Sequence, residues 1–149
     1  MPLADATPHV AIVKATSANS AQNIFVPIPS GGKRILFRRI TNTNASATLA
    51  SATTTMGVSV ASGGSGAPSG VVIVTAATGT LTTLTGNTIT FDCTIAATAA
   101  AVLITPAIPT GTNPQTGMPY NEAGVFLNIA GTPNVAATFD TYLECQFYD

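Results

Sequence analysis

The stretch Thr138-Phe139-Asp140-Thr141-Tyr142-Leu143-Glu144-Cys145-Gln146-Phe147-Tyr148 sets Phe139, Leu143, Cys145 and Phe147 against Asp140, Tyr142, Glu144, Gln146 and Tyr148. Side chains of an extended backbone alternate between its two faces, so the segment reads as a strand with one face for a core and the other for solvent or a partner. Residues 88–95 repeat the pattern, with Ile89, Phe91, Cys93 and Ile95 opposing Thr88, Thr90, Asp92 and Thr94. Further short segments rich in Thr, Val and Ile, residues that suit a pleated, half-buried surface, fall at 9–15, 23–28, 33–41, 56–61, 71–76, 80–85, 101–105 and 124–129. The spacing predicts an all-β fold, an antiparallel β-sandwich or jelly roll of about ten short strands.

The punctuation agrees. Ser30-Gly31-Gly32 and Thr85-Gly86-Asn87 each stand between strand candidates like hairpin connections. Ser62-Gly63-Gly64-Ser65-Gly66 with Pro68 reads as a flexible loop, and 106–119 is a Pro/Gly/Asn-rich excursion of the kind that runs over a surface. Alanine is dense at 44–54 and 96–102, but Ser, Thr and Asn weaken a helix in the first and the second is short.

At 149 residues the chain has the size of a single domain, 1–149, with 1–8 as a candidate N-terminal arm. No apolar run approaches the roughly 20 residues of a membrane helix, despite 46% hydrophobic residues. The opening residues lack the basic and apolar regions of a signal peptide, because Pro2, Asp5, Pro8 and His9 interrupt them. Synthesis in a reducing compartment follows as an expectation, with Cys93 and Cys145 as thiols on core faces. Charged residues make up only 7%, while 24 Ala and 25 Thr supply a third of the chain. A surface of neutral Thr, Ser, Asn and Ala suits a protein packed into an assembly better than a freely diffusing enzyme. Genomic base composition alone can also produce such a bias.

Reactive groups are scarce. His9 is the only histidine, which rules out a two-histidine metal site within one chain, and there is no G-x-S-x-G elbow. Cys93 and Cys145 each follow a carboxylate, Asp92 and Glu144, which disfavours the thiolate a nucleophile needs. Asp140 and Glu144 share a strand face, but four residues separate their backbones by roughly 13 Å, wide for a catalytic pair. The Gly-rich loop lacks the Gly-Lys-Ser/Thr ending of a phosphate loop. No catalytic, cofactor or metal residues are assigned.

One charged feature stands out. Lys33-Arg34-Ile35-Leu36-Phe37-Arg38-Arg39 holds four of the five basic residues. Plain alternation puts Lys33 and Arg39 on one face and Arg34 and Arg38 on the other, so a basic group would have to sit at a rim, meet a carboxylate or contact another chain. With a net charge of −1 and no other basic surface, protein rather than nucleic acid is the expected partner of Lys33, Arg34, Arg38 and Arg39.

The run from Lys33 through Arg39, Ile40-Thr41-Asn42-Thr43-Asn44 and on to Thr53, then Met56-Gly57-Val58 and the Gly-rich loop, resembles small structural proteins of tailed phages. Leu127-Asn128-Ile129-Ala130-Gly131-Thr132-Pro133 and Ala136-Ala137-Thr138-Phe139-Asp140-Thr141-Tyr142 are similar to theirs as well. The resemblance covers about half of the chain and consists of strand and turn patterns. It implies a non-enzymatic virion protein of β-sandwich type, decorating and stabilising a capsid after assembly in the host cytoplasm. It further implies the major capsid protein or another virion protein as partner and a homo-oligomer, trimer or dimer. Alternatives are a tail, collar or fibre-associated domain and, less favoured because the chain has no Trp and only Tyr120, Tyr142 and Tyr148, a carbohydrate-binding β-sandwich.

Overall fold

A computed structural model describes residues 8–17, 22–44, 46, 55–62, 68–78, 89–92, 104–130 and 138–148. Among them are eight strands and no helix: β1 (Pro8–Ser17), β2 (Gln22–Pro27), β3 (Arg34–Thr43), β4 (Thr55–Ser62), β5 (Pro68–Thr78), β6 (Ile89–Asp92), β7 (Gly124–Ala130) and β8 (Thr138–Tyr148). The predicted strands at 9–15, 23–28, 33–41, 56–61, 71–76, 88–95, 124–129 and 138–148 correspond to these. The predicted strand at 80–85, both helix candidates apart from Asn44 and Ser46, the Thr85-Gly86-Asn87 turn and Cys93 lie outside the described residues, as do residues 1–7 of the expected arm. Of the 101–105 candidate, Ile104 forms an isolated bridge to Ile35.

The strands make two four-stranded antiparallel sheets, ordered β1-β8-β3-β6 and β2-β7-β4-β5. The pairs β1·β8, β2·β7, β3·β6 and β4·β5 belong to one long ribbon doubled back between β4 and β5. Rolling that ribbon sends alternate pairs to opposite sheets, which is the jelly roll.

The core lies between the sheets. Val26, Ile28, Val58, Val125, Leu127 and Ile129 meet Ala11, Ile35, Phe37, Ile40, Phe139, Leu143 and Cys145 in one buried cluster. β8 follows its sequence pattern, with Phe139, Thr141, Leu143 and Cys145 buried and the intervening residues partly exposed. Thr141 is a polar member of the inner face, and its Oγ1 donates to Asn42 Oδ1 at 2.8 Å from the neighbouring strand. Burying the two together gives these two oxygens the partner that a polar group taken from water needs, while Asn42 Nδ2 is buried with no partner among the described residues.

Ser30-Gly31-Gly32 does form a tight turn, closed by Lys33 N donating to Ser30 O at 3.0 Å. It is not a hairpin, because β2 and β3 belong to different sheets. Gly31 and Gly32 hold φ of 60° and 83°, a conformation open to glycine, and this lets the chain cross from one sheet to the other within a few residues.

Candidate functional site

The basic cluster lies on β3, whose neighbours are β8 and β6. Its inner residues are Ile35, Phe37, Ile40 and Asn42, a series that breaks the period of two between Phe37 and Ile40. A β-bulge causes the break: Phe37 pairs with Cys145 and Arg39 with Glu144, leaving Arg38 as the extra residue. Arg34, Arg38 and Arg39 are therefore all exposed, and Lys33 sits half-buried in the preceding turn. The expectation that basic groups occupy both faces is corrected on this point. The bulge absorbs the extra residue, so no arginine enters the core.

Arg38 is held down on β8. Its Nε donates to Gln146 Oε1 at 2.6 Å and an Nη donates to Tyr148 Oη at 3.0 Å, while Tyr148 Oη donates to Gln146 Oε1 at 3.1 Å. Arg39 stands opposite Glu144 on one side and Asp92 on the other. Cross-strand neighbours of opposite charge stabilise a ladder modestly. Arg34 stands opposite Tyr148, at one end of the ladder. Asp140 lies at the other end, opposite Thr43, and accepts a hydrogen bond from Asn44 Nδ2 at 3.4 Å. Ile12, 49% exposed, pairs with Tyr142 across the β1 ladder. Tyr142, Thr41, Thr43 and Glu144 border a shallow hollow of about 340 Å³. The outer face of this sheet thus carries arginines, carboxylates and half-exposed apolar groups.

A second feature covers the other sheet. Phe126 and Asn128 alternate with the core residues of β7, so they point away from the core, yet both are buried. Part of the cover is residues 105–123, the excursion foreseen as a surface loop. Its tip closes on itself through Asn113 N to Met118 O at 2.8 Å and Tyr120 N to Gly111 O at 3.3 Å. Gln115 Nε2 ties it to Asn23 O at 2.9 Å, and the Tyr120 ring lies 4.8 Å from Phe25 and 5.9 Å from Phe126. At the re-entry into β7, a Cβ on Gly124 would come within 2.6 Å of the Phe25 ring, so only glycine fits. Between this strap and β2 is a cavity of about 520 Å³, with Phe25, Met118 and Tyr120 among its walls and Asn121 and Glu122 contributing polar groups.

Cys145 is fully buried and unpaired, and burial, with the Glu144 charge added, pushes its thiol up from 9.0 to about 11. The backbone of His9 lies opposite Cys145 in the ladder. A thiol raised that far and closed to solvent is nevertheless the reverse of an activated nucleophile. Among the described residues no group of three or more His, Cys, Asp or Glu side chains is arranged to hold a metal ion. No helix among them is long and apolar enough to cross a membrane. Comparison with protein-family models, with curated proteins and with solved structures gives no match.

Proposed function

We propose that this chain is a non-enzymatic structural protein of a tailed-phage particle, decorating and stabilising the capsid through contact with the major capsid protein or another virion protein. The observation that supports it most is the outer face of β1-β8-β3-β6, a strand surface on which Arg34, Arg38 and Arg39 are all exposed beside partner strands. Part-apolar surfaces with exposed arginine suit protein contact. The low charge, the scarce reactive groups and the resemblance of 33–58 and 127–142 to tailed-phage structural proteins favour the same reading. The jelly roll itself is used by viral capsid proteins and also by lectins, so it permits the role without selecting it. Counting copies of the protein in purified particles tests the proposal. Hundreds per particle are expected for a shell component; a handful would place it in the tail, collar or fibre, and none would overturn the virion role.

The cavity beside Tyr120 favours a second reading, a carbohydrate site, because aromatic walls with an amide and a carboxylate are the groups that hold a sugar ring. Calorimetric titration with neutral mono- and oligosaccharides decides it: heat that disappears in Tyr120→Ala supports a glycan role, and no heat removes it.

A further inference from the structure

We propose that the strap carries two adjoining subsites, both bordered by Tyr120, for a neutral oligosaccharide of two or more sugar rings. This rests on the second reading of the cavity beside Tyr120 and names its ligand class. A second cavity, of about 370 Å³, extends that reading: it lies against Val60 and Ala61 of β4 and Phe126 of β7, with Thr110 and Thr112 of the strap at its wall. Tyr120 is the residue that borders both cavities. The sheet order β2-β7-β4-β5 sets β2 and β4 on opposite sides of β7, so the two cavities flank the strap where it crosses that strand. Neighbouring strands are about 4.8 Å apart, which separates β2 from β4 by about 10 Å. A single pyranose ring does not reach across that distance, whereas two linked rings do.

The wall chemistry is matched on the two flanks. Tyr120 is joined by Phe25 on the β2 side and by Phe126 on the β4 side. Asn121 and Glu122 supply polar groups to the first cavity, and the exposed Thr110 and Thr112 supply hydroxyls to the second. A sugar ring is apolar on its faces and hydroxylated at its rim, so an aromatic wall beside an amide or a hydroxyl suits it on either flank. Charge narrows the class. The five basic residues are Lys14 in β1, Lys33 in the turn before β3, and Arg34, Arg38 and Arg39 in β3. Both strands belong to the opposite sheet, and none of the five borders either cavity. Among the described residues that line the two cavities, Glu122 carries the one formal charge. An acidic sugar would have to leave water beside that carboxylate with no cation to pair it, while a neutral glycan can donate its hydroxyls to Glu122.

Screening the full chain on an array of neutral and acidic glycans, from single sugars to hexasaccharides, tests this, followed by calorimetry on the glycans retained and on their component monosaccharides. Neutral oligosaccharides should bind about tenfold tighter than the monosaccharide, because the second subsite adds hydrogen bonds and an aromatic contact. Thr110→Val/Thr112→Val keeps the shape of both side chains and removes their hydroxyls. It should weaken the oligosaccharide about fivefold and leave the monosaccharide unchanged, with an unaltered urea midpoint showing that the variant is folded. Monosaccharide bound as tightly as oligomer, or a double variant indistinguishable from the wild type, would overturn the paired subsites and leave the glycan reading of the first cavity standing. Preference for acidic glycans would overturn the neutral class. An array that retains nothing removes the subsites and the glycan reading together.

Discussion

At the scale of single residues, Cys145 links sequence, burial and stability. Its place on the inner face of β8 follows from alternation with Phe139, Leu143 and Phe147, and the structure buries it completely. Its neighbour Glu144 raises the thiol pKa further, the effect expected of an adjacent carboxylate. A thiol held at about 11 in the fold but near 9.0 when unfolded binds its proton more tightly in the native state. This contribution to stability is complete below pH 9, falls as the unfolded chain ionises, and is gone above the folded pKa. Between pH 9 and 11 the wild type should therefore lose up to about 2–3 kcal/mol more unfolding free energy than Cys145→Ala, read by denaturant titration at each pH. Equal slopes for the two proteins would show that the thiol is not protected. Thr141 and Asn42 were harder to foresee. Thr141 sits at an inward position by parity and Asn42 at one by its spacing from Ile40, but a polar side chain at such a position looks like an error until its partner on the neighbouring strand is known.

At the scale of elements, β8 was legible because its alternation is unbroken, and β3 was legible as a strand but not in its facing. Strict parity assigns Arg39 to the face opposite Arg38, whereas the bulge puts both outside. The signal is present in the sequence as the three-residue step from Phe37 to Ile40 between two-residue steps, and it identifies the bulge only if Ile40 is required to be inside. A direct test follows. Deleting one of the two adjacent arginines leaves Ile35, Phe37, Ile40 and Asn42 in regular alternation, so the shortened β3 should still fold cooperatively, at a cost below about 2 kcal/mol. Deleting Leu36 instead puts Ile35 out of phase with Phe37 and Ile40, and should cost well above that in the same urea titration. If both deletions were equally damaging, the bulge would not be the device that sets the phase. The strap was seen in the sequence only as a loop, because its role depends on contacts of Tyr120 and Gln115 with residues about a hundred positions away. Tyr120→Ala should cost about 1–3 kcal/mol by removing its aromatic contacts, with faster hydrogen exchange confined to 105–123 and to β2 and β7 beneath it.

For the whole molecule, the order β1-β8-β3-β6 against β2-β7-β4-β5 could not be derived from spacing, since a sandwich of any topology shows the same alternation and turns. What the composition does bear on is how the molecule holds a larger partner. Eleven charged residues in 149 cannot build a broad electrostatic surface, and seven of the eleven, Lys14, Arg34, Arg38, Arg39, Asp92, Asp140 and Glu144, occupy strands of one sheet. In the proposed role, attachment to a shell would have to come mostly from neutral and apolar contact, in which excluding water rather than pairing ions supplies the affinity. Ile108 and Met118 of the strap are exposed apolar groups of the kind such a contact would use. Purified protein bound to undecorated particles should stay bound as ionic strength rises from about 0.05 to 1 M, where the screening length falls to roughly 3 Å. Arg38→Ala or Arg39→Ala should weaken that binding measurably but not abolish it, because a local charge-assisted contact is only part of the interface. An affinity that collapsed over modest salt would follow counterion release from phosphates, and the partner would then be nucleic acid and not a protein shell.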